Sequence, residues 1–262
     1  MRSAAARLAT LLTCMLLALP QAAFASESIK LDRLPADVGP NDPASLQRGV
    51  QVFVNYCMGC HSANYMRYNR LADLGLTDGQ ILDNLVFTGA KAGDLMKTAM
   101  DARDAKEWFG APPPDLTVIA RSRASSAGSG ADWLYSYLRS FYRDPSRPGG
   151  WNNTVFPNVG MPHVLWQLQG EPVLKTEAQT IPVGSQGDVE QREVQKLVLS
   201  KPGAMKPAEY DRMVADLVNY LSYMSEPARS SRVQLGIYVL LFLSVLLVLS
   251  YLVKNEYWKD IH

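Results

Sequence analysis

Hydrophobic positions recur at helical spacing in three places along the chain, and two long apolar runs lie outside them at either end. After Asp42-Pro43, a capping residue followed by proline at the first helical position, Leu46, Val50, Phe53 and Val54 return every three or four residues. This predicts a helix that ends at Cys57. Tyr210, Met213, Val214, Leu217, Leu221 and Met224 form a second stripe, which stops before Glu226-Pro227 and leaves one apolar face to bury. A third helix is expected over Asp132 to Tyr142, rich in Trp133, Tyr135, Tyr137, Phe141 and Tyr142, and Met96 and Met100 fall in a further helix-like stretch. Punctuation separates these segments: Gly110 to Leu116 carries three consecutive prolines and reads as rigid and extended, and Ser122 to Gly130 is a small-residue loop. Gly170 to Pro207 reads as an insertion holding one β-hairpin. The fold class is therefore mainly α, with loops and short β insertions.

The apolar runs divide the chain. Arg2 and Arg7 precede a run from Leu8 to Leu19, and Pro20 and Ala23-Phe24-Ala25 follow, the pattern of a secretory signal cleaved after Ala25. The second run, Val233 to Val253, is long enough to cross about 30 Å of hydrocarbon, with Tyr238, Tyr251, Tyr257 and Trp258 within it or just beyond it. Arg229 and Arg232 on one side balance Lys254 and Lys259 on the other, so the export signal sets the orientation. The expected organisation is a leader (1–25), an exported domain (26–232), a transmembrane anchor (233–253) and a cytoplasmic tail (254–262). This places a single-pass protein in the inner (cytoplasmic) membrane, with its domain in the periplasm.

Charge adds little. The chain has 26 basic and 25 acidic residues, which gives no footprint for nucleic acid. Acidic residues outnumber basic ones between Asp73 and Glu107, a stretch that reads mainly as solvated helical surface.

Cysteine usage changes the picture. Of three cysteines, Cys14 lies in the leader, and the other two belong to Cys57-Met58-Gly59-Cys60-His61. Two thiols so spaced each add across a vinyl group of one haem, and the next histidine reaches the iron. A zinc site would need about four ligands, and no second cysteine pair is present. One covalently attached haem c is the expectation. The sixth iron position then decides between electron transfer and ligand chemistry. Met161 sits in Phe156-Pro157-Asn158-Val159-Gly160-Met161-Pro162, a loop stiffened by proline on both sides, and His163 is its main competitor.

These segments, in this order, resemble the cytochrome c1 family of proteobacterial type, the haem subunits of ubiquinol:cytochrome c reductase (the cytochrome bc1 complex). The resemblance rests on Gln47-Arg48-Gly49 through the haem motif, Tyr65-Met66-Arg67-Tyr68-Asn69, Pro113-Pro114-Asp115-Leu116 with Arg121-Ser122-Arg123, Gly160-Met161-Pro162, and Tyr210-Asp211 to Glu226-Pro227 before one anchor. It implies a cytochrome c-like helical haem domain with His61 and Met161 as axial ligands. It also implies that Arg123, or secondarily Arg121, meets a haem propionate, and that Pro113 packs against the haem. The implied activity is one-electron transfer from the Rieske iron-sulfur protein to cytochrome c beside cytochrome b, in a dimeric complex, with no quinol chemistry in this chain alone. The chain departs from the family in having no cysteine in the region leading up to Met161, so packing alone is expected to hold that loop, and in having His163. The alternatives are an anchored monohaem subunit of a terminal oxidase or nitric oxide reductase, and a haem enzyme or gas sensor with an open sixth site.

Overall fold

A computed structural model describes residues 30–183 and 188–259; the leader (1–25) lies outside the described residues. In chain order the helices are α1 (Pro43–Val52), α2 (Asp78–Leu85), α3 (Ala102–Phe109), α4 (Ile119–Ser122), α5 (Gly130–Arg139), α6 (Trp166–Gln169), α7 (Pro207–Ser225) and α8 (Arg229–Tyr257). Three antiparallel pairs accompany them: β1 (Ala63–Arg67) with β2 (Leu95–Met96), β3 (Phe141–Arg143) with β4 (Trp151–Asn153), and β5 (Gly170–Val183) with β6 (Asp188–Pro202).

The core is a crossing of α1 and α5 over α7. The Asp42 carboxylate accepts from the Ser45 amide and starts α1 as the sequence predicts. α1 packs along α7, whose Tyr210, Val214, Leu217 and Tyr220 are all buried. Each such side chain contributes about 1.5–3 kcal/mol on burial, so this seam outweighs the weak intrinsic helicity of a ten-residue α1. Gly49 sets the spacing: a Cβ there would lie 2.1 Å from the Asp216 carbonyl oxygen and 2.8 Å from Tyr220 Cβ. At the same crossing the buried Asp216 carboxylate accepts from Ser45 Oγ and the Arg48 guanidinium.

Three expectations are corrected. The third helix ends at Arg139, and Phe141 and Tyr142 belong to β3; Ser140 Oγ turns back onto the Ser136 and Tyr137 carbonyls at the helix end. Met96 lies in β2 and Met100 lies in no helix, because Thr98 is tied to Gly59 and Ser62 of the haem motif region. Ser122, placed in a loop, closes the single turn of α4. The expected hairpin is present as a long two-stranded ribbon, Gly170–Val183 against Asp188–Pro202. The apolar run lies within α8, where Ser231–Tyr257 is long and apolar enough to cross a membrane.

Candidate haem site

The segment after α1 continues as a π-helical turn, Phe53–Cys57, closed by a Met58 amide bond to the Phe53 carbonyl at 3.0 Å. Such turns insert a residue into a helix and re-aim the chain beyond it. Cys60 and His61 amides then both donate to the Cys57 carbonyl, at 3.1 and 2.9 Å, folding the motif into one tight loop. Cys57 and Cys60 form no disulfide with each other.

The three prolines run alongside. Leu116 donates to the Ser62 carbonyl (2.9 Å), and Asp115 accepts from the Asn64 and Thr117 amides (2.7 and 2.9 Å), so residues 114–117 are strapped to the chain just after His61. Proline has a carbonyl and no N–H, and the Pro114 carbonyl lies 2.7 Å from His61 Nδ1. A carbonyl can only accept, so Nδ1 carries the proton and Nε2 keeps its lone pair. Burial lowers the His61 pKa and favours the neutral ring, against the opposing pull of the Pro114 carbonyl.

Cys57, Cys60, His61, Pro113, Arg123 and Met161 line one cavity of about 310 Å³, a volume within the roughly 300–1,000 Å³ of cofactor pockets. Leu217 and Leu221 of α7, Leu134 and Leu138 of α5, and Phe109, Phe156 and Val159 supply apolar wall. Two thiols, an imidazole with a free lone pair and a thioether around an apolar cavity are the donor set of a c-type haem, so these residues fit the group. The Arg123 guanidinium lies 4.6 Å from the Trp133 ring centroid and 5.6 Å from that of Phe156, and it has no salt-bridge partner among the described residues. Arg121 is exposed and lies outside the lining. His163 is also outside it: 2% exposed, it stacks on Phe141 at 4.9 Å and meets Trp151 edge-on at 5.0 Å. Burial pushes its pKa down to about 4.

The Met161 loop is not held by packing alone. Asn152 Oδ1 accepts from the Asn158 amide (2.8 Å), where Asn158 takes φ +62°, and Asn153 Oδ1 accepts from Val155 and Phe156 amides (2.9 and 3.0 Å). Asn153 Nδ2 donates to the Tyr137 carbonyl at 2.8 Å, tying the loop to α5. Arg147 reaches both the side chain and the carbonyl of Asn158. Sequence reasoning passed over these two asparagines; the available signal was a polar pair between Trp151 and Phe156, where alternation would place apolar residues.

The family model for the cytochrome C1 family matches residues 37–172 and 203–261. A protein named ammonia monooxygenase gamma subunit from Nitrosomonas europaea is 49% identical over 252 residues, covering 96% of this chain and 97% of its own. Cytochrome c1 of Allochromatium vinosum is 49% identical over 228 residues, 87% of this chain and 88% of that one, and cytochrome c1 of Rhodospirillum rubrum is 28% identical over 242 residues, 85% and 84%. The family match passes through the attachment loop, the proline strap, the Met161 loop and the terminal helix, and it skips only residues 173–202 of the ribbon before resuming. The chain belongs to the cytochrome c1 family.

Proposed function

We propose that this chain carries one haem c, bonded through Cys57 and Cys60 and ligated by His61 and Met161, and passes single electrons from the Rieske protein to a cytochrome c. Family membership supplies the coarser part: a cytochrome c1 is the membrane-anchored, haem-bearing electron-transfer subunit of the bc1 complex, which implies cytochrome b and the Rieske protein as neighbours. The observation that carries the finer reading is the meeting of all four donor residues at one apolar cavity.

When bound, the haem would supply one-electron exchange between Fe(III) and Fe(II), and His61 and Met161 as its ligands would give it a high potential. The chain's own residues do the rest. The Pro114 carbonyl fixes the His61 tautomer. The asparagine-held loop presents Met161, and the apolar wall excludes water, which limits rearrangement on each electron transfer. Arg123 supplies a cation for a propionate, a charge-assisted pairing that a buried carboxylate requires, with Arg121 the second candidate, and Pro113 packs on the histidine side. The leader (1–25) exports the domain (26–232) to the periplasm of the inner membrane, the anchor (233–253) crosses it, and the tail (254–262) stays in the cytoplasm. Tethering holds the site close to partners in the same dimeric complex and raises their effective concentration.

Purification from native membrane in mild detergent tests this. Cytochrome b and a Rieske protein are expected to accompany the chain, together with haem that resists acid-acetone extraction and antimycin-sensitive quinol oxidation. Co-purification with ammonia-oxidising subunits and without cytochrome b would instead favour the assembly named for the Nitrosomonas relative.

A further inference from the structure

We propose that Tyr137 is a positioning residue for the iron, its hydroxyl donating a hydrogen bond to the Met161 sulfur and thereby raising the reduction potential of the site. The inference rests on Met161 being the second axial ligand. Tyr137 Oη lies 3.3 Å from Met161 Sδ, and among the described residues no other acceptor is within reach of that hydroxyl. A phenol is a good donor and a thioether sulfur a weak acceptor. The sulfur has two lone pairs, so it can ligate iron through one and accept the hydroxyl through the other.

The geometry is over-determined. The Tyr137 ring stacks on Trp133 with centroids 4.8 Å apart and planes 13° from parallel, and meets Phe141 edge-on at 5.1 Å. Its carbonyl accepts from Asn153, the same side chain that holds the amides of Val155 and Phe156. One residue thus couples the backbone of α5 to the loop bearing Met161, and the hydroxyl has little freedom to leave the sulfur. A hydrogen bond on the sulfur withdraws electron density from the iron bond. That loss disfavours the more electron-demanding Fe(III) state, so the potential rises.

The test is a redox titration of the full-length, haem-loaded chain in its native complex, with Tyr137→Phe keeping the ring and removing the hydroxyl. The potential reads the difference in hydrogen-bond strength between the two oxidation states, so a bond of ordinary net strength limits the shift toward Fe(III) to roughly tenfold, a fall of at most about 59 mV. The sulfur-to-iron charge-transfer band should persist. 3-Fluorotyrosine at position 137, a stronger donor in the same packing, should move the potential upward, and this arm decides the matter if the phenylalanine variant does not assemble. Unchanged potentials in both variants overturn the proposal. So does an equal shift from Phe141→Leu, which disturbs the packing and retains the hydroxyl. Met161→Leu is the separate control for the ligand itself: if it leaves the charge-transfer band in place, the ligand assignment has failed and the tyrosine proposal falls with it.

Discussion

Replacing Asp216 with Asn tests whether one buried carboxylate clamps α1, the helix that leads into the haem motif, onto α7. Its Oδ1 accepts from Ser45 Oγ at 2.7 Å and Arg48 Nη2 at 3.0 Å, and its Oδ2 accepts from Arg48 Nε at 2.6 Å. Asn219 completes the group by donating to Ser45 Oγ at 3.0 Å and to the Gly39 carbonyl at 2.9 Å. An asparagine offers one acceptor oxygen where the carboxylate offers two, so one donor faces an amide NH2. Breaking a fully buried pair costs about 3–5 kcal/mol, whereas an exposed pair contributes about 0–1 kcal/mol. Here the carboxylate is 3% exposed and the Arg48 side chain 50%, so the arginine regains water when its partner is lost. The expected cost is about 2–3 kcal/mol, between those limits. At roughly 2–4 °C per kcal/mol for a folded unit of this size, the melting midpoint should fall by roughly 4–12 °C. Circular dichroism of the haem-loaded chain in detergent measures this. The double variant with Arg48→Gln should lose less than the sum of the two single losses, because both remove one interaction. A drop under about 2 °C, or strictly additive losses, refutes the clamp.

Three further outcomes are expected. Burial, together with the hydroxyl's bond to the Asp73 carboxylate, raises Tyr223 from 10.0 to about 12, and burial raises Tyr210 and Tyr220 as well. The unfolded chain therefore loses these protons first: the stabilisation is complete below about pH 10 and is lost as pH rises toward about 12, by about 2 kcal/mol for Tyr223 alone. Denaturant titrations at about pH 9 and about pH 11 should show the fall, and equal midpoints would contradict it. Arg123→Gln should leave the haem bound and lower its potential by roughly 30–60 mV, equivalent to about threefold to tenfold in the redox equilibrium, in a potentiometric titration; a larger effect from Arg121→Gln would transfer the role to that residue. Replacing residues 174–197 by Asn-Gly, between the paired Val173 and Val198, should leave the haem spectrum intact and shift the melting midpoint by less than about 2 °C. The root of the ribbon, where Glu171 accepts from Arg143 at 3.1 Å and Lys201 at 3.3 Å, is retained in that variant.

What could be read from the sequence was what depends on local chemistry. The haem motif needs only two thiols at fixed spacing and a histidine, and α1 and α7 carry apolar stripes with Asp42 and Glu226-Pro227 marking their limits. The terminal run needs only length and hydropathy. Features fixed by distant contacts were not readable. Tyr142 continues an aromatic pattern that suits a helix, yet it pairs with Asn152 of β4, and a three-residue strand leaves no period to detect. Met96 and Met100 have helical spacing, but the Thr98 side chain and amide are claimed by Gly59 and Ser62, far off in the chain.

The two sides of the proposed iron site are accordingly built on different physics, and this bears on how each can fail. On the histidine side the proposed attachment at Cys57 and Cys60 would commit the chain covalently, beside a backbone carbonyl that no side-chain substitution removes, since His61 Nδ1 is paired with Pro114 through the main chain. On the methionine side, beyond the Thr154 amide on the Ser140 carbonyl at the loop's root, the restraints are side chains: Asn152 and Asn153 on the loop amides, and Tyr137 on the sulfur. Buried amides left without partners cost about 1–3 kcal/mol each, so Asn153, which satisfies Val155 and Phe156 at once, restrains that side more than a single contact would suggest. Loss of the sulfur ligand should therefore precede loss of the histidine as conditions become destabilising. With the haem held through its proposed bonds to Cys57 and Cys60, that partly released state would remain attached and rebind Met161 when the loop reforms.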